Sequence, residues 1–121
     1  LDIWHSLENF GNKGLSNVKD VIVFSVSQHM CAGINADETI FWDGSKFIFV
    51  LEQRPGGDAP YFYSDNLIYP EDEGGKKDRI FREEQSGEST YDGDVLDMHK
   101  KVEYQWTGTE LKQIKVLIDK K

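Results

Sequence analysis

The sequence predicts a mainly β protein: an antiparallel arrangement of about six or seven strands with hairpin connections, folded as a sandwich, a barrel or a propeller-like fragment. Three observations carry that prediction. Short runs rich in Val, Ile, Phe and Tyr alternate with clusters of Gly, Pro, Asn and Asp, the punctuation of strands and turns. The chain holds 7 Phe, 5 Tyr and 3 Trp, side chains that suit a pleated, half-buried surface. The phrase Trp42-Asp43-Gly44-Ser45 returns 64 residues later as Trp106-Thr107-Gly108-Thr109, each time between two apolar runs.

Taken in order, residues 1–10 place Ile3, Trp4, Leu7 and Phe10 at roughly helical spacing. This predicts a short helix or an irregular end, stopped by Gly11 and Gly14. Residues 20–27 form a strand with Val21, Val23 and Ser25 on one face and Ile22, Phe24 and Val26 on the other. Apolar groups on both faces mark a central strand. Residues 38–42 and 46–53 pair through Asp43-Gly44, a type I′ hairpin signal because both central residues need positive φ. Residues 61–69 are a weaker strand, interrupted by Ser64-Asp65-Asn66, and 79–85 a short one. Residues 95–106 alternate: Leu96, Met98, Val102, Tyr104 and Trp106 share one face, with Lys100 the exception, and charged or polar residues take the other. Thr107-Gly108 turns the chain, and 111–118 returns with Ile114, Val116 and Ile118 on one face. The whole reads as a single β-rich domain, 1–121, with an internal duplication marked by the Trp42–Gly44 and Trp106–Gly108 hairpins.

Composition excludes several classes of function. With 22 Asp and Glu against 14 Lys and Arg the net charge is −8. Phosphate backbones and anionic membranes both call for clustered cations, so neither is an expected partner. The five-residue apolar run 47–51 is far too short to span a bilayer. Cys31 is the single cysteine, so no intrachain disulfide forms. The first residues show no basic or apolar leader region, and Leu1 is read as the start of a processed, trimmed or truncated chain.

No catalytic constellation is visible. Asp92, Asp94 and Asp97, or Asn35, Asp37 and Glu38, supply oxygens near loops, but neither set has the spacing of a calcium loop. The expectation is solvated turn carboxylates with no metal and no cofactor. His29 and Cys31 alternate, but a zinc site needs at least three protein ligands. There is no Gly-x-Ser-x-Gly elbow and no phosphate-cradling loop. A non-enzymatic protein is therefore expected. The candidate binding residues are aromatic: Trp42, Tyr61, Tyr63 and Trp106, as a rim that stacks a sugar or a peptide. The competing reading of the two tryptophans is packing that pins hairpin register.

Phe10-Gly11-Asn12 with the aliphatic strand Asp20-Val21-Ile22-Val23, followed by the Trp42 hairpin, resembles degenerate FG-GAP-type repeats of β-propeller proteins, often exported from bacteria. The match covers about a third of the chain. It departs from the family at the calcium loop: Asn12, Gly14 and Asn17 stand where acids are wanted. What the resemblance implies is an exported, periplasmic or cell-envelope β-domain; the all-β pattern, the acidic surface and the aromatic-rich loops around Tyr61 and Tyr63 add the expectation that it binds a protein or a glycan. The alternative is a small acidic inhibitor or immunity-type protein that blocks a basic partner enzyme, with charge steering the encounter. Unpaired edge strands also make a dimer plausible.

Overall fold

A computed structural model describes residues 2–29, 34–54, 56 and 60–120. It contains eight strands: β1 (Asp2–Asn9), β2 (Asp20–His29), β3 (Ile34–Trp42), β4 (Phe47–Gln53), β5 (Tyr61–Ile68), β6 (Arg79–Thr90), β7 (Gly93–Trp106) and β8 (Leu111–Lys120). They form two four-stranded antiparallel sheets, in the orders β1-β2-β3-β4 (sheet 1) and β5-β6-β7-β8 (sheet 2). Each sheet is a simple meander in which every strand pairs with its sequence neighbours, and the sheets do not close into a barrel.

The strand count is eight rather than six or seven because the segment 2–9, whose spacing suggested a helix, is an edge strand. It pairs with β2 from Asp2↔His29 to Asn9↔Ile22. A neighbouring strand that satisfies its backbone outweighs a weak local helical pattern. The residues 30–33, with Cys31, lie outside the described residues.

Register assigns the faces. In sheet 1, Val21, Phe41 and Ile48 lie opposite one another, as do Val23, Thr39 and Leu51. Val21, Phe41, Thr39 and Leu51 are buried, so this is the inner face. In sheet 2, Ile80 lies opposite Tyr104, and Arg82 opposite Val102 and Leu67. Ile80, Val102 and Trp106 are buried on that inner face. The two inner faces meet in a core of Val21 and Phe41 from one sheet and Ile80 and Trp106 from the other. Leu15, Val18 and Tyr69 come from the β1–β2 and β5–β6 loops. At its centre Phe41 and Trp106 pack edge-to-face, 5.0 Å between centroids and 83° between planes, a geometry worth about 0.5–1.5 kcal/mol beyond the area buried. The indole N–H of Trp106 donates to the Ser16 carbonyl at 2.7 Å, so the largest core residue leaves no polar atom orphaned.

The two meanders correspond position by position. Trp42 lies opposite Asp20 and Phe47, and Trp106 opposite Asp78 and Leu111. A bulge interrupts β3–β4 between Thr39 and Ile40, and another interrupts β7–β8 between Glu103 and Tyr104, 64 residues on. The preceding loops match as well: Leu15 N–H donates to the Asn12 carbonyl, and Gly75 N–H to the Asp72 carbonyl. Gly14 and Gly74 share φ 81°. The hairpin device is the same in both. Asp43 Oδ1 accepts from the N–H groups of Ser45 and Lys46, both at 2.8 Å. Thr107 Oγ1 accepts from Thr109 and Glu110 at 3.3 and 3.1 Å. Gly44 and Gly108 sit at φ 104° and 98°, where only glycine is relaxed. Each loop spans four residues and has one positive-φ glycine, not the two-residue type I′ turn that Asp-Gly suggested, because a side-chain oxygen caps the turn.

Candidate functional site

The seam between the sheets carries a polar network. Asp65, with its side chain fully buried, accepts from Arg82 Nη2 at 2.5 Å and from Arg82 Nε at 3.0 Å. It also accepts from Gln53 Nε2 of sheet 1 at 3.0 Å. Arg82 donates to the Glu52 carbonyl at 3.1 Å, so one carboxylate and one guanidinium join β4, β5 and β6. Hydrogen bonding from the Asp65 carboxylate holds Arg82 well above its ordinary range, against the opposing effect of burial. Nearby, Tyr63 donates its hydroxyl to Glu84. Burial first, and then that carboxylate, push its phenol up. Both Asp65 carboxylate oxygens accept, and Arg82 Nε and Nη2 and Gln53 Nε2 donate, which describes a staple between sheets.

Beside the staple lies a cleft of about 310 Å³, walled by Val23, Thr39 and Gln53 of sheet 1 and by Asp65, Leu67 and Tyr69. Lys13 and Asp72 line it too and form an ion pair at 2.7 Å. Two buried hydroxyls in its wall, Thr39 Oγ1 and Tyr69 OH, make no hydrogen bond among the described residues. Burial pushes the Tyr69 phenol up to about 12. Such a pair is satisfied by water or a small polar ligand. Asp72 is held below the usual carboxylate range: burial opposes its ionisation, but the Lys13 ammonium and the Tyr69 N–H outweigh it.

The second feature is a surface. The outer face of sheet 1 presents Leu7, Phe24, Ile22, Ile40, Phe49 and the Trp42–Phe47 pair. Leu7 is 68 % exposed, Phe47 66 % and Phe49 58 %. Trp42 packs at a tilt against Phe47, 4.6 Å between centroids, and His5 stacks on Phe24 at 5.8 Å. The outer face of sheet 2 differs. It carries Arg79 bonded to Glu103 at 2.6 Å, with Lys101 over the Phe81 ring at 5.1 Å. Lys112, Lys115 and Gln105 share that face. The outer face of sheet 1 is apolar at these positions, with Asn9, Asp20, Glu38 and Glu52 beside them, and the outer face of sheet 2 is mainly charged. A contiguous apolar face of this kind marks an interaction site.

The structure places the four sequence-predicted aromatics apart. Trp106 is 1 % exposed in the core. Tyr63 lies on the same inner face but near the far end of the sheet, opposite Ser86. Tyr61 is exposed at the start of β5. Trp42 is half-buried on the outer face of sheet 1, beside Phe47 and not beside the tyrosines. Leu7, Ile22, Phe24 and Phe49, which complete its surroundings, were not singled out from sequence. The signal for them was the double-sided apolar pattern of β2, which requires cover on both faces. Asp92 and Asp94 are exposed at the β6–β7 turn. Among the described residues, no group of three or more His, Cys, Asp and Glu is placed to hold a metal. Among the described residues, no helix is long and apolar enough to cross a membrane. Searches of family models, curated proteins and solved structures return no match for the chain.

Proposed function

We propose that the protein is a non-enzymatic binding module that works by presenting the outer face of sheet 1 to a protein partner. The observation that carries this reading is the exposure of Leu7, Phe47 and Phe49 on a face where Ile22, Phe24, Ile40 and Trp42 continue the apolar surface. The exposed side chains Leu7, Phe47 and Phe49 are aliphatic and aromatic, and the polar groups of this face, among them Asp20, Glu38 and Glu52, are carboxylates; that mixture supports a protein partner, whose interface joins an apolar centre to a polar rim. The inter-sheet carboxylates Asp65 and Asp72 are both held by cations, so the polar seam serves cohesion in this reading. The resemblance to exported propeller-type repeats belongs to the same proposal, supported by two stacked four-stranded meanders, the unit such repeats are built from.

A photo-crosslinking side chain at position 49 tests it, with the same group at the fully exposed Tyr91 of the β6–β7 turn as control. The expected result, in extract from the source cell, is one discrete protein adduct through position 49, none through position 91, and loss of the adduct in Leu7→Asp. An adduct that forms only at position 91, or that survives Leu7→Asp, rejects this face as the binding surface.

A further inference from the structure

We infer that the occupant of the outer face of sheet 1 is a third four-stranded meander of the same kind, which packs on it as sheet 1 packs on sheet 2. The inference rests on the binding reading above and names the partner. It follows from which faces correspond. Trp42 corresponds to Trp106, Ile22 to Ile80, Leu7 to Leu67, Ile40 to Tyr104 and Phe47 to Leu111, by the shared registers and the shared bulge. In sheet 2 these positions form the inner face, and Ile80 and Trp106 are buried against sheet 1. In sheet 1 they form the outer face, where Leu7 and Phe47 are exposed and Ile22, Ile40 and Trp42 are only half-buried. The outer face of sheet 1 is therefore built like a face that, one meander later, is covered by a sheet.

Polar groups give a second, independent line. Asp78 accepts from Ser16 N–H at 2.9 Å and Ser16 Oγ at 2.8 Å, and Trp106 Nε1 donates to the Ser16 carbonyl. The β1–β2 loop of one meander thus caps the Asp and Trp of the next. The corresponding groups of sheet 1, the Asp20 carboxylate and the Trp42 indole N–H, have no hydrogen-bond partner among the described residues. A further meander would bring a loop to both.

A second copy of this chain fits poorly. Ser16 is already engaged with Asp78, and to continue the stack in the same sense a copy must offer the outer face of its sheet 2. There Arg79, Gln105, Lys112 and Lys115 replace Val21, Phe41, Ile48 and Leu51 of the inner face of sheet 1. Burying Lys115 and the Arg79–Glu103 and Lys112–Glu110 pairs against Leu7 and Phe49 takes them out of water with no new polar partner to offset the loss. A charged outer face is what a stack of repeats needs at its last member; sheet 2 is built as that end and sheet 1 as an interior member.

The test joins a second copy of residues 1–60, including the natural 54–60 connection, ahead of the intact chain. Hydroxyl-radical labelling at Phe47 of the intact part is expected to fall to the level seen at Leu111, the corresponding residue of sheet 2. Unfolding should occur in one transition above that of the parent, and Asp20→Ala in the intact part should lower it there but not in the parent. A separate melt of the added meander with unchanged labelling overturns the inference. So does a stable dimer of the parent chain that protects Phe49. If the tandem fails while the position-49 adduct of the parent with an unrelated protein persists, the binding reading stands and only the identity of the occupant falls.

Discussion

Sheet 1 and sheet 2 share topology, register, bulge and hairpin cap, yet they treat corresponding side chains in opposite ways. Trp106 is core and Trp42 is half-exposed. Asp65 and Arg82 form the buried staple, whereas the corresponding pair in sheet 1 is His5 stacked on Phe24. Asp78 is capped and Asp20 is not. The difference teaches that the meander itself is a frame with two usable faces. Which face is covered decides whether a given side chain stabilises the fold or waits for a partner.

The largest test of that contrast is the tryptophan pair. Trp106→Ala removes the centre of the core and its bond to Ser16, and is expected to cost about 3–5 kcal/mol. Trp42→Ala, made in the same chain without a partner, is expected to cost about 1 kcal/mol or less. Urea denaturation of the two variants measures both; equal losses would mean that the outer face of sheet 1 is already covered within the chain.

The second contrast is the staple. Arg82→Leu leaves Asp65 buried without its cation, an expected loss of about 3–5 kcal/mol. Phe24→Leu at the corresponding place keeps an apolar residue of similar volume on an open face and should cost less than about 1.5 kcal/mol. The double variant Arg82→Leu, Asp65→Leu removes both charges and should recover much of the loss, and thermal unfolding reads all three. If Arg82→Leu alone proves harmless, the pair does not hold the sheets together.

Next come the loop acids. Asp78 sits at φ 52° and accepts two hydrogen bonds from Ser16. Replacement by Ala removes both bonds and forces an ordinary side chain into the left-handed region, at about 2–3 kcal/mol. Asp20→Ala should stay within about 0.5 kcal/mol. Comparable destabilisation by the two variants would show that Asp20 already has a partner in the isolated chain.

Much of this frame was legible in the sequence. The alternation of 95–106, the turn residues and the echo of Trp42-x-Gly in Trp106-x-Gly predicted strands and hairpins that the structure contains. The rest was hidden for physical reasons. Residues 2–9 became a strand because β2 offers an edge, a tertiary effect that local spacing does not carry. The correspondence of the first half of each meander was masked because the loops differ in length, so Asn12 matches Asp72 and Ile22 matches Ile80 at unequal offsets. The apolar outer face was half visible, since Ile22, Phe24 and Val26 asked for cover. Its extent needed the register that brings Leu7 and Phe49 beside them.

The smallest expected effect separates the two hairpins by pH. The Asp43 carboxyl is held below its ordinary value by the backbone N–H groups of Lys46 and Ser45, which favour the charged form. The folded value thus lies below the unfolded one, near 3.9. The contribution of Asp43 to its hairpin is therefore complete above about pH 4 and is lost as pH falls through the folded value, because the unfolded chain takes up the proton first. Thr107 fills the same place in the second hairpin and does not titrate in this range. In an acid titration followed by amide NMR, the Ser45 and Lys46 N–H signals should move and exchange faster below pH 4, while those of Thr109 and Glu110 hold. Asp43→Asn should abolish the pH response and leave the hairpin formed, since an amide oxygen can still accept from both N–H groups. If both hairpins loosen together, the cause is global acid unfolding and not the cap. A response confined to residues 43–46 shows one turn design carried by two chemistries, one of them open to protonation.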